Sequence, residues 1–305
     1  METTRLHEEI RELARKKNAV LLAHNYTVSE VQDVSDFVGD SLGLSIQASE
    51  TDADIIVFSG VHFMAESAAI LSPKKKVLIP KLDAGCPMAD MITSEDARTF
   101  KERYPGAELV MYINSSAAAK AECDICCTSA NAIRVVGATK SDMVLMAPDR
   151  NLAQYTARFT DREIVFWDGY CIVHEQLTPE DVQKARDAHP DAELLVHPEC
   201  RPEVIDMADQ VASTSGMLKY VKESSHHTFL IGTEIGILHP LRCASPEKNI
   251  YPVSEKMVCV NMKKTSLADI RDCLKGEKNR VVVPEDVAKG AKIALDRMIA
   301  IKKDD

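Results

Sequence analysis

Three of the nine cysteines recur at a nearly constant spacing. Cys86, Cys171 and Cys259 are 85 and 88 residues apart, and each follows a short apolar segment of the chain. If three equivalent units pack around a common axis, the three sulfur atoms converge. Three thiolates suit either an iron–sulfur cluster or a zinc ion with an open position. In both cases the metal that lacks a fourth protein ligand can act as a Lewis acid.

Side chains that donate, accept or move protons recur at the same spacing. Three tripeptides, 88 and 85 residues apart, each end a short apolar segment. They are His24-Asn25-Tyr26, Tyr112-Ile113-Asn114 and His197-Pro198-Glu199. Polar residues at the end of a single strand ordinarily lie at the surface. Three such strand ends at equivalent positions of the repeat indicate that they form the walls of one pocket. Ligands of open α/β sheets bind beyond the carboxyl ends of the strands, where these tripeptides would lie.

Small hydroxyl residues form a further equivalent set. Three triplets, 88 and 86 residues apart, are each predicted to open a helix. They are Asp40-Ser41-Leu42, Thr128-Ser129-Ala130 and Thr214-Ser215-Gly216. Such residues cap helices and leave backbone N–H groups free, so that a helix start binds anions. Three helix starts directed at one pocket would hold a substrate with two or three negative charges.

The remaining cysteines give weaker signals. Cys123 and Cys126 have the C-x-x-C spacing of many metal ligands, but a single pair without a second one is poor support for zinc. We therefore expect this segment to pack in the core. Cys200 adjoins the third polar tripeptide, whereas Cys243 and Cys273 have no equivalents in the other repeats.

The elements that position these residues are indicated by internal repetition of the chain. Apolar runs flanked by polar or turn residues recur at offsets of 85 to 88 residues. They lie at 19–24, 107–112 and 192–197, at 54–58, 142–146 and 228–232, and at 77–80, 163–166 and 249–252. Such runs are typical of buried parallel strands, and helical patterns with cap residues and acidic first turns, such as 94–103 and 179–188, separate them. Strands alternating with helices predict an α/β fold with parallel sheets covered by helices on both faces.

The repeats predict three pseudo-symmetric αβα three-layer domains around a central active site. The first comprises residues 1–90 together with 260–305, the second 91–175 and the third 176–259. In the C-terminal part we expect a helix, a strand at 281–283 and a last helix. No low-complexity linker separates the domains, so they should pack directly against one another.

Composition excludes several classes of protein. The 305 residues are 45% hydrophobic and 28% charged, which is typical of a globular protein. The net charge of −10 argues against nucleic-acid binding, which needs a basic surface. No apolar run approaches the roughly 18 residues of a membrane span, and the charged N-terminus does not resemble an export signal. We therefore expect a cytoplasmic protein whose cysteines do not form a disulfide framework.

Ordered motifs along nearly the whole chain resemble the quinolinate synthase family. They are LAHNY (22–26), GDSL (39–42), GVHFMAE (60–66), AGCPM (84–88), CTSAN (127–131), PDRN (148–151), HPEC (197–200), STS (213–215), GTEIG (232–236) and VNMK (260–263). The resemblance implies three αβα domains and a [4Fe–4S] cluster held by Cys86, Cys171 and Cys259. It also implies condensation of iminoaspartate (iminosuccinate) with dihydroxyacetone phosphate to quinolinate, phosphate and water in NAD biosynthesis.

The resemblance further implies the roles of individual residues. Glu199 would be the principal acid or base, assisted by Tyr26, Tyr112 and His197. The residues implied to contact the substrates are His24, Ser41, Tyr112, Asn114, Ser129, His197, Glu199 and Thr214. Cys123 is outside the family pattern. A functional partner would be an aspartate oxidase or dehydrogenase that supplies iminoaspartate, and the chain would be a monomer or a homodimer.

Two other hypotheses explain the same residues. A different [4Fe–4S] hydro-lyase would act on another small carboxylate. Substrate competition with dicarboxylates would distinguish it from a quinolinate synthase. A non-catalytic zinc-stabilised α/β protein would need metal to fold, but would tolerate replacement of the polar residues at its strand ends.

Overall fold

A computed structural model describes residues 2–301 and contains three four-stranded sheets in which all paired strands are parallel. The strands are β1 (Ala19–His24), β2 (Phe37–Gly39), β3 (Ile55–Ser59), β4 (Lys76–Leu78), β5 (Glu108–Tyr112), β6 (Ile125–Cys127), β7 (Met143–Ala147), β8 (Glu163–Phe166), β9 (Glu193–Val196), β10 (Gln210–Val211), β11 (Thr228–Gly232) and β12 (Asn249–Pro252). Their orders are β2-β1-β3-β4, β6-β5-β7-β8 and β10-β9-β11-β12. The same order three times confirms the predicted α/β fold of three similar units. Met1 and residues 302–305, which belong to the predicted first domain, lie outside the described residues.

Helices connect the strands. Those of the described chain are α1 (Glu2–Lys16), α2 (Ser29–Val34), α3 (Ser41–Glu50), α4 (His62–Leu71), α5 (Ser94–Arg103), α6 (Ala117–Ala121), α7 (Ala132–Ala138), α8 (Arg150–Ala157), α9 (Pro179–Ala188), α10 (Pro202–Ile205), α11 (Thr214–Glu223), α12 (Leu238–Ala244), α13 (Leu267–Gly276) and α14 (Glu285–Ala300). Short 3₁₀ helices lie at Ala89–Met91 and Ile235–Ile237. The predicted helices at 94–103 and 179–188 are α5 and α9, and each begins with a capping box, at Thr93 and at Thr178.

Both faces of the sheets are buried, as the apolar runs predict. In β1, Val20 and Leu22 belong to one hydrophobic cluster, whereas Leu21 and Ala23 belong to another. Alternate residues of a strand point to opposite faces, so helices cover this sheet on both sides. Continuous burial therefore accounts for strands that are apolar throughout rather than alternating.

The strand order determines where a ligand can bind. In each sheet the chain passes from the first strand to an edge and then returns to pair on the other side of the first strand, as in β2-β1-β3-β4. A crevice forms at this reversal, beyond the carboxyl ends of the two central strands. Each of the three sheets thus offers one crevice, and the polar tripeptides lie at or directly after the end of its first strand.

Two details of the sheets differ from the sequence prediction. The edge strands β2, β6 and β10 were not predicted, because they contain only two or three residues and therefore show no periodicity. The predicted strand at 281–283 is wrong. Arg280 forms an isolated antiparallel bridge with Leu78, and Val281 donates one backbone hydrogen bond to Val77. Val282 is exposed, and α14 starts at Glu285. The valines at 281–283 therefore make too few backbone hydrogen bonds with a neighbouring strand to form a strand themselves.

The two C-terminal helices pack on different parts of the molecule. Helix α13 packs against α1 and β3, and α14 packs against α4, α6 and β6. Ala291, Ala294, Leu295 and Met298 are the buried residues of α14. This apolar face therefore ties the end of the described chain to both the first and the second sheet. No helix within residues 2–301 is long and apolar enough to cross a membrane.

Candidate active site

A cavity that is partly open to solvent lies where the three units meet. Side chains from the carboxyl ends of all three sheets line it. The twelve residues predicted from the sequence all reach this cavity: His24, Tyr26, Ser41, Cys86, Tyr112, Asn114, Ser129, Cys171, His197, Glu199, Thr214 and Cys259. The cysteines of the 123–127 segment do not line it, and Cys126 and Cys127 are fully buried in the core.

Glu199 is the most closely surrounded charged group of the cavity. Nδ1 of His174 lies 2.6 Å from Oε2 of Glu199, and Nδ1 of His197 lies 3.6 Å from the same atom. The two imidazole rings stack with centroids 4.7 Å apart. Tyr112 is a further neighbour of the carboxyl group and lowers its pKa. A carboxylate beside two stacked rings and a phenol is suited to accept and return a proton.

The charge state of Glu199 depends on these neighbours. Burial by itself raises the pKa of Glu199, but His174, His197 and Tyr112 outweigh burial and lower this pKa to about 2. Burial raises the pKa of Tyr26 and of Tyr112 well above 10. At neutral pH Glu199 is therefore an ionised base next to phenols that keep their protons.

Two histidines of the cavity share a local geometry that fixes their tautomers. Nδ1 of His24 accepts the N–H of Tyr26 at 3.2 Å, and Nδ1 of His197 accepts the N–H of Glu199 at 3.3 Å. Burial lowers the pKa of His24 to about 4 and that of His197 to about 3. Both rings are therefore neutral at pH 7 and carry the proton on Nε2. For His197 this proton can be donated to Oγ of Ser129, 3.2 Å away.

The buried neutral histidines predict a stability that declines in mild acid. A histidine has a pKa near 6.5 when unfolded, so the unfolded chain binds more protons than the native chain between pH 6.5 and pH 4. The contribution of these histidines to the free energy of unfolding is fully present above pH 6.5, and it is lost as the pH falls toward their native pKa values. For His24, with its native pKa of about 4, we expect a loss of about 2 kcal/mol at pH 5. Urea unfolding of the metal-free chain at pH 7.5 and pH 5 measures this, and His24→Asn should reduce the pH dependence by about 2 kcal/mol while the contribution of His197 remains. An equal pH dependence in the variant would contradict it.

The hydroxyl residues lie at or near helix starts, with one difference from the prediction. Helix α3 is capped by Asp40, whose Oδ1 accepts the N–H of Gly43, and α11 is capped by Ser213. Helix α7 begins only at Ala132, because Thr128 instead forms a turn closed by the side chain of Asn131. Ser41, Ser129 and Thr214 all line the cavity, but only two of them open a helix.

Two carboxylates hold the loops that carry two of the three cysteines. Oδ2 of Asp149 accepts the backbone N–H of Cys171 at 3.1 Å, and Oε1 of Glu234 accepts that of Cys259 at 3.0 Å. Asp149 and Glu234 each stand two residues after the second central strand of their sheet, β7 and β11. The corresponding residue of the first sheet is Val61, so the loop of Cys86 has no such partner there. The pseudo-symmetry of the site is thus incomplete.

A partly buried ion pair joins the first and third units beside the cavity. Nζ of Lys263 lies 2.9 Å from Oε1 of Glu234 and donates to the carbonyl oxygen of Tyr26 at 2.6 Å. Thr233 bonds both the Tyr26 hydroxyl, at 2.6 Å, and Nε2 of His174, at 2.7 Å. These contacts fix the positions of Tyr26 and of the Cys259 loop.

Sequence reasoning missed several of these residues. Asp149, Thr233, Glu234 and Lys263 lie in motifs that were recognised, but nothing assigned them a role. His174 follows Cys171 by three residues, which was the only sequence signal for it. Its contacts with Glu199 and Thr233 come from a different repeat and become visible only in the folded chain.

The three cysteines suit a metal cluster better than a single ion. Burial raises the pKa of each thiol, that of Cys86 to about 12, so a positive centre is needed to keep them as thiolates. One zinc ion with Zn–S bonds of about 2.3 Å would bring their sulfurs to about 3.8 Å. In the described part of the chain, the only three such ligands within 4.8 Å of one another are Cys171, His174 and Glu199. At least one pair of the three sulfurs is therefore more than 4.8 Å apart, wider than one zinc ion would hold them.

Three parallel sheets that direct buried acid–base groups and three thiols into one cavity define an α/β enzyme with a thiol-lined active site. A family profile described as "Quinolinate synthetase A protein" matches residues 8–300. The quinolinate synthase of Methanoregula boonei is 55% identical over 300 residues, covering 98% of this chain and 99% of that protein. The quinolinate synthase of Geobacter sp. strain M21 is 54% identical over 299 residues, 98% of each chain, and quinolinate synthase 1 of Methanosarcina acetivorans is 52% identical over 302 residues, 99% of each chain.

The chain belongs to the quinolinate synthase family, as its motifs predict.

Proposed function

We propose that this enzyme condenses iminoaspartate with dihydroxyacetone phosphate to form quinolinate, inorganic phosphate and water, a step of NAD biosynthesis. The observation that carries the proposal is the convergence in one cavity of all twelve residues that the resemblance implies. Family membership over nearly the whole chain supports the same reaction.

Cys86, Cys171 and Cys259 would hold a [4Fe–4S] cluster. Three partly buried thiols from three units, not all within the spacing of the ligands of one ion, fit such a group. When bound, the cluster supplies a Lewis-acidic iron without a protein ligand, which assists loss of water from a bound hydroxyl. Asp149 and Glu234 position two of the three thiols through their backbone N–H groups.

The other cavity residues bind and orient anionic substrates without a net positive charge. Neutral His24 and His197 donate hydrogen bonds through Nε2, and the hydroxyls of Ser41, Ser129 and Thr214 and the amide of Asn114 add further polar contacts. The starts of α3 and α11 contribute the positive ends of their dipoles. This arrangement suits the carboxylates of iminoaspartate and the phosphate of the ketose, in a protein whose overall charge repels them.

Glu199 would act as the principal acid–base group. Its ionised carboxylate takes a proton from the carbon or the hydroxyl group that must lose one, and then returns it to the departing oxygen. Tyr26, Tyr112 and His197 keep their protons at neutral pH, so they donate hydrogen bonds to oxygen atoms that gain charge. His174, 2.6 Å from Oε2 of Glu199, orients the carboxylate.

The proposed reaction is tested with anaerobically reconstituted enzyme, iminoaspartate generated in situ and dihydroxyacetone phosphate. We expect quinolinate and inorganic phosphate in equal amounts, with neither formed when the ketose phosphate is omitted. Dehydration of a different carboxylate without any quinolinate would favour another hydro-lyase. A chain that needs metal to fold and has no activity with either substrate would favour the zinc-stabilised protein.

A positioning role for Glu234 predicts a less stable cluster in its variant. Glu234→Ala removes the acceptor of the Cys259 N–H and the partner of Lys263. Loss of an outer-shell partner typically weakens metal binding 10- to 100-fold, so we expect iron to pass to a chelator at least about tenfold faster. Glu203→Ala, at an exposed position of α10, is the matched control. Equal rates of iron release in the two variants would remove Glu234 from this role.

Several properties outside the cavity are part of the same proposal. An aspartate oxidase or dehydrogenase would supply the unstable iminoaspartate. The enzyme would be cytoplasmic and a monomer or homodimer, and its domains would comprise 1–90 with 260–305, 91–175 and 176–259. Gel filtration with light scattering gives the oligomeric state directly.

A further inference from the structure

A second set of metal-binding atoms overlaps the three-cysteine site. The sulfur of Cys171, a ring nitrogen of His174 and a carboxylate oxygen of Glu199 lie within 4.8 Å of one another. No other three cysteine, histidine or acidic residues among 2–301 do so. His174 and Glu199 are 1% and 3% exposed, so this is a built part of the cavity rather than a chance cluster on the surface.

Two atoms of this set lack the hydrogen bonds that buried polar atoms normally have. Neither Nδ1 of His174 nor Oε1 of Glu199 has a hydrogen-bond partner. Nδ1 of His174 lies 2.6 Å from Oε2 of Glu199, but this contact lacks the alignment of a hydrogen bond. Buried polar groups in proteins are nearly always paired, so these two atoms point to a ligand bound beside them, within reach of both side chains and of Cys171.

The surroundings of His174 match those of a metal-binding histidine. Its other ring nitrogen, Nε2, contacts Oγ1 of Thr233 at 2.7 Å. Metal-bound histidines almost always bond a second group through the nitrogen that does not hold the metal, and this bond fixes the ring. Thr233 therefore secures one nitrogen of His174, and the other faces the carboxylate of Glu199.

We propose that the metal-free chain binds one Zn²⁺ ion through Cys171, His174 and Glu199, and that this ion excludes the cluster. Sulfur, nitrogen and oxygen donors with a fourth position open to the cavity are typical of zinc sites with an open position. On binding, Cys171 gives its thiol proton to solvent and coordinates as the thiolate. His174 coordinates as the neutral ring and Glu199 as the carboxylate.

Exclusion follows because both metal groups need Cys171. This part of the inference rests on the proposed function, in which Cys171 is a cluster ligand. Zn²⁺ is bound more tightly than Fe²⁺ by most sites of nitrogen, oxygen and sulfur donors. The zinc-bound chain therefore stays inactive until the zinc ion is removed. Zinc at this triad thus determines whether the cluster can be inserted.

The zinc site is tested with the full-length chain, purified anaerobically and stripped of metal, with its fold checked by circular dichroism. Zinc sulfate is titrated in competition with a chromophoric chelator, and Co²⁺ serves as a spectroscopic probe of thiolate ligation. We expect one zinc per chain. His174→Asn and Glu199→Gln should each weaken zinc binding more than about 100-fold, the upper end of what loss of an outer-shell partner costs. Cys86→Ala should leave the zinc affinity unchanged, because Cys86 belongs to the cluster alone.

Cluster insertion is tested on the same proteins with iron and sulfide. Wild-type chain loaded with one zinc should take up no cluster until the zinc is chelated. Unchanged zinc affinity in both His174→Asn and Glu199→Gln, loss of zinc binding in Cys86→Ala, or cluster uptake at full rate by the zinc-loaded chain would overturn the inference. Failure of the proposed function would be seen separately, as zinc-free wild-type chain that takes up neither iron nor sulfide.

Discussion

The Glu199→Gln variant is expected to lose turnover by about 10²- to 10⁴-fold while it keeps its cluster. Glutamine preserves the shape of the side chain but cannot take up a proton at neutral pH. Glu199 is not among the three thiol ligands, so iron and sulfide contents should equal those of the wild type. Quinolinate formation and metal analysis on the same preparation measure both quantities.

The loss should lie in the chemical step rather than in folding. His24, Ser41 and the helix starts remain to hold the substrates, so we expect kcat to fall more than KM rises. Glu203→Gln, at an exposed position, controls for loss of a carboxylate elsewhere. Turnover close to that of the wild type in Glu199→Gln would remove Glu199 from the mechanism.

The Cys171→Ala variant is expected to lose both the cluster and all measurable turnover. Cys171 is one of only three proposed thiol ligands, and alanine would leave a second iron without a protein ligand at the wall of the cavity. Anaerobic reconstitution followed by iron and sulfide analysis measures the loss. The variant should still fold, because the side chain that it removes is only partly buried.

Cys123→Ala is the matched control for this experiment. Cys123 is also a partly buried cysteine of the second repeat, but it does not line the cavity, and its sulfur lies 3.9 Å from that of Cys126. It should keep both cluster and turnover. Intact iron content in Cys171→Ala, or loss of the cluster in Cys123→Ala, would overturn the ligand assignment.

The cavity could be predicted from the sequence because its residues obey the repeat. Cys86, Cys171 and Cys259 recur at offsets of 85 and 88, as do the tripeptides that end the first strands. Equivalent positions in three similar units must converge if the units pack around a common axis. No knowledge of side-chain packing was needed for this conclusion.

Contacts that break the repeat could not be predicted in this way. His174 meets Glu199 across two units, and Lys263 bonds Tyr26 from a position 237 residues further along the chain. Such pairs depend on how the units are packed against one another, which periodicity does not encode. Glu234 was recognised within a motif, but its contact with the Cys259 N–H requires the folded loops.

Short and irregular elements were missed for a different reason. Strands β2, β6 and β10 contain two or three residues and depend on pairing with the long first strand of each sheet. Conversely, the valines at 281–283 have high strand propensity, yet tertiary contacts leave them outside the sheet. Propensity is a weak guide wherever the pairing partner determines the structure.

The most direct test of the central claim is the iron and acid-labile sulfide content of zinc-free, anaerobically reconstituted wild-type chain. The proposed [4Fe–4S] cluster predicts about four of each per chain, together with quinolinate synthesis in the same preparation. A correctly folded chain that binds iron or zinc without sulfide would contradict a cluster held by Cys86, Cys171 and Cys259.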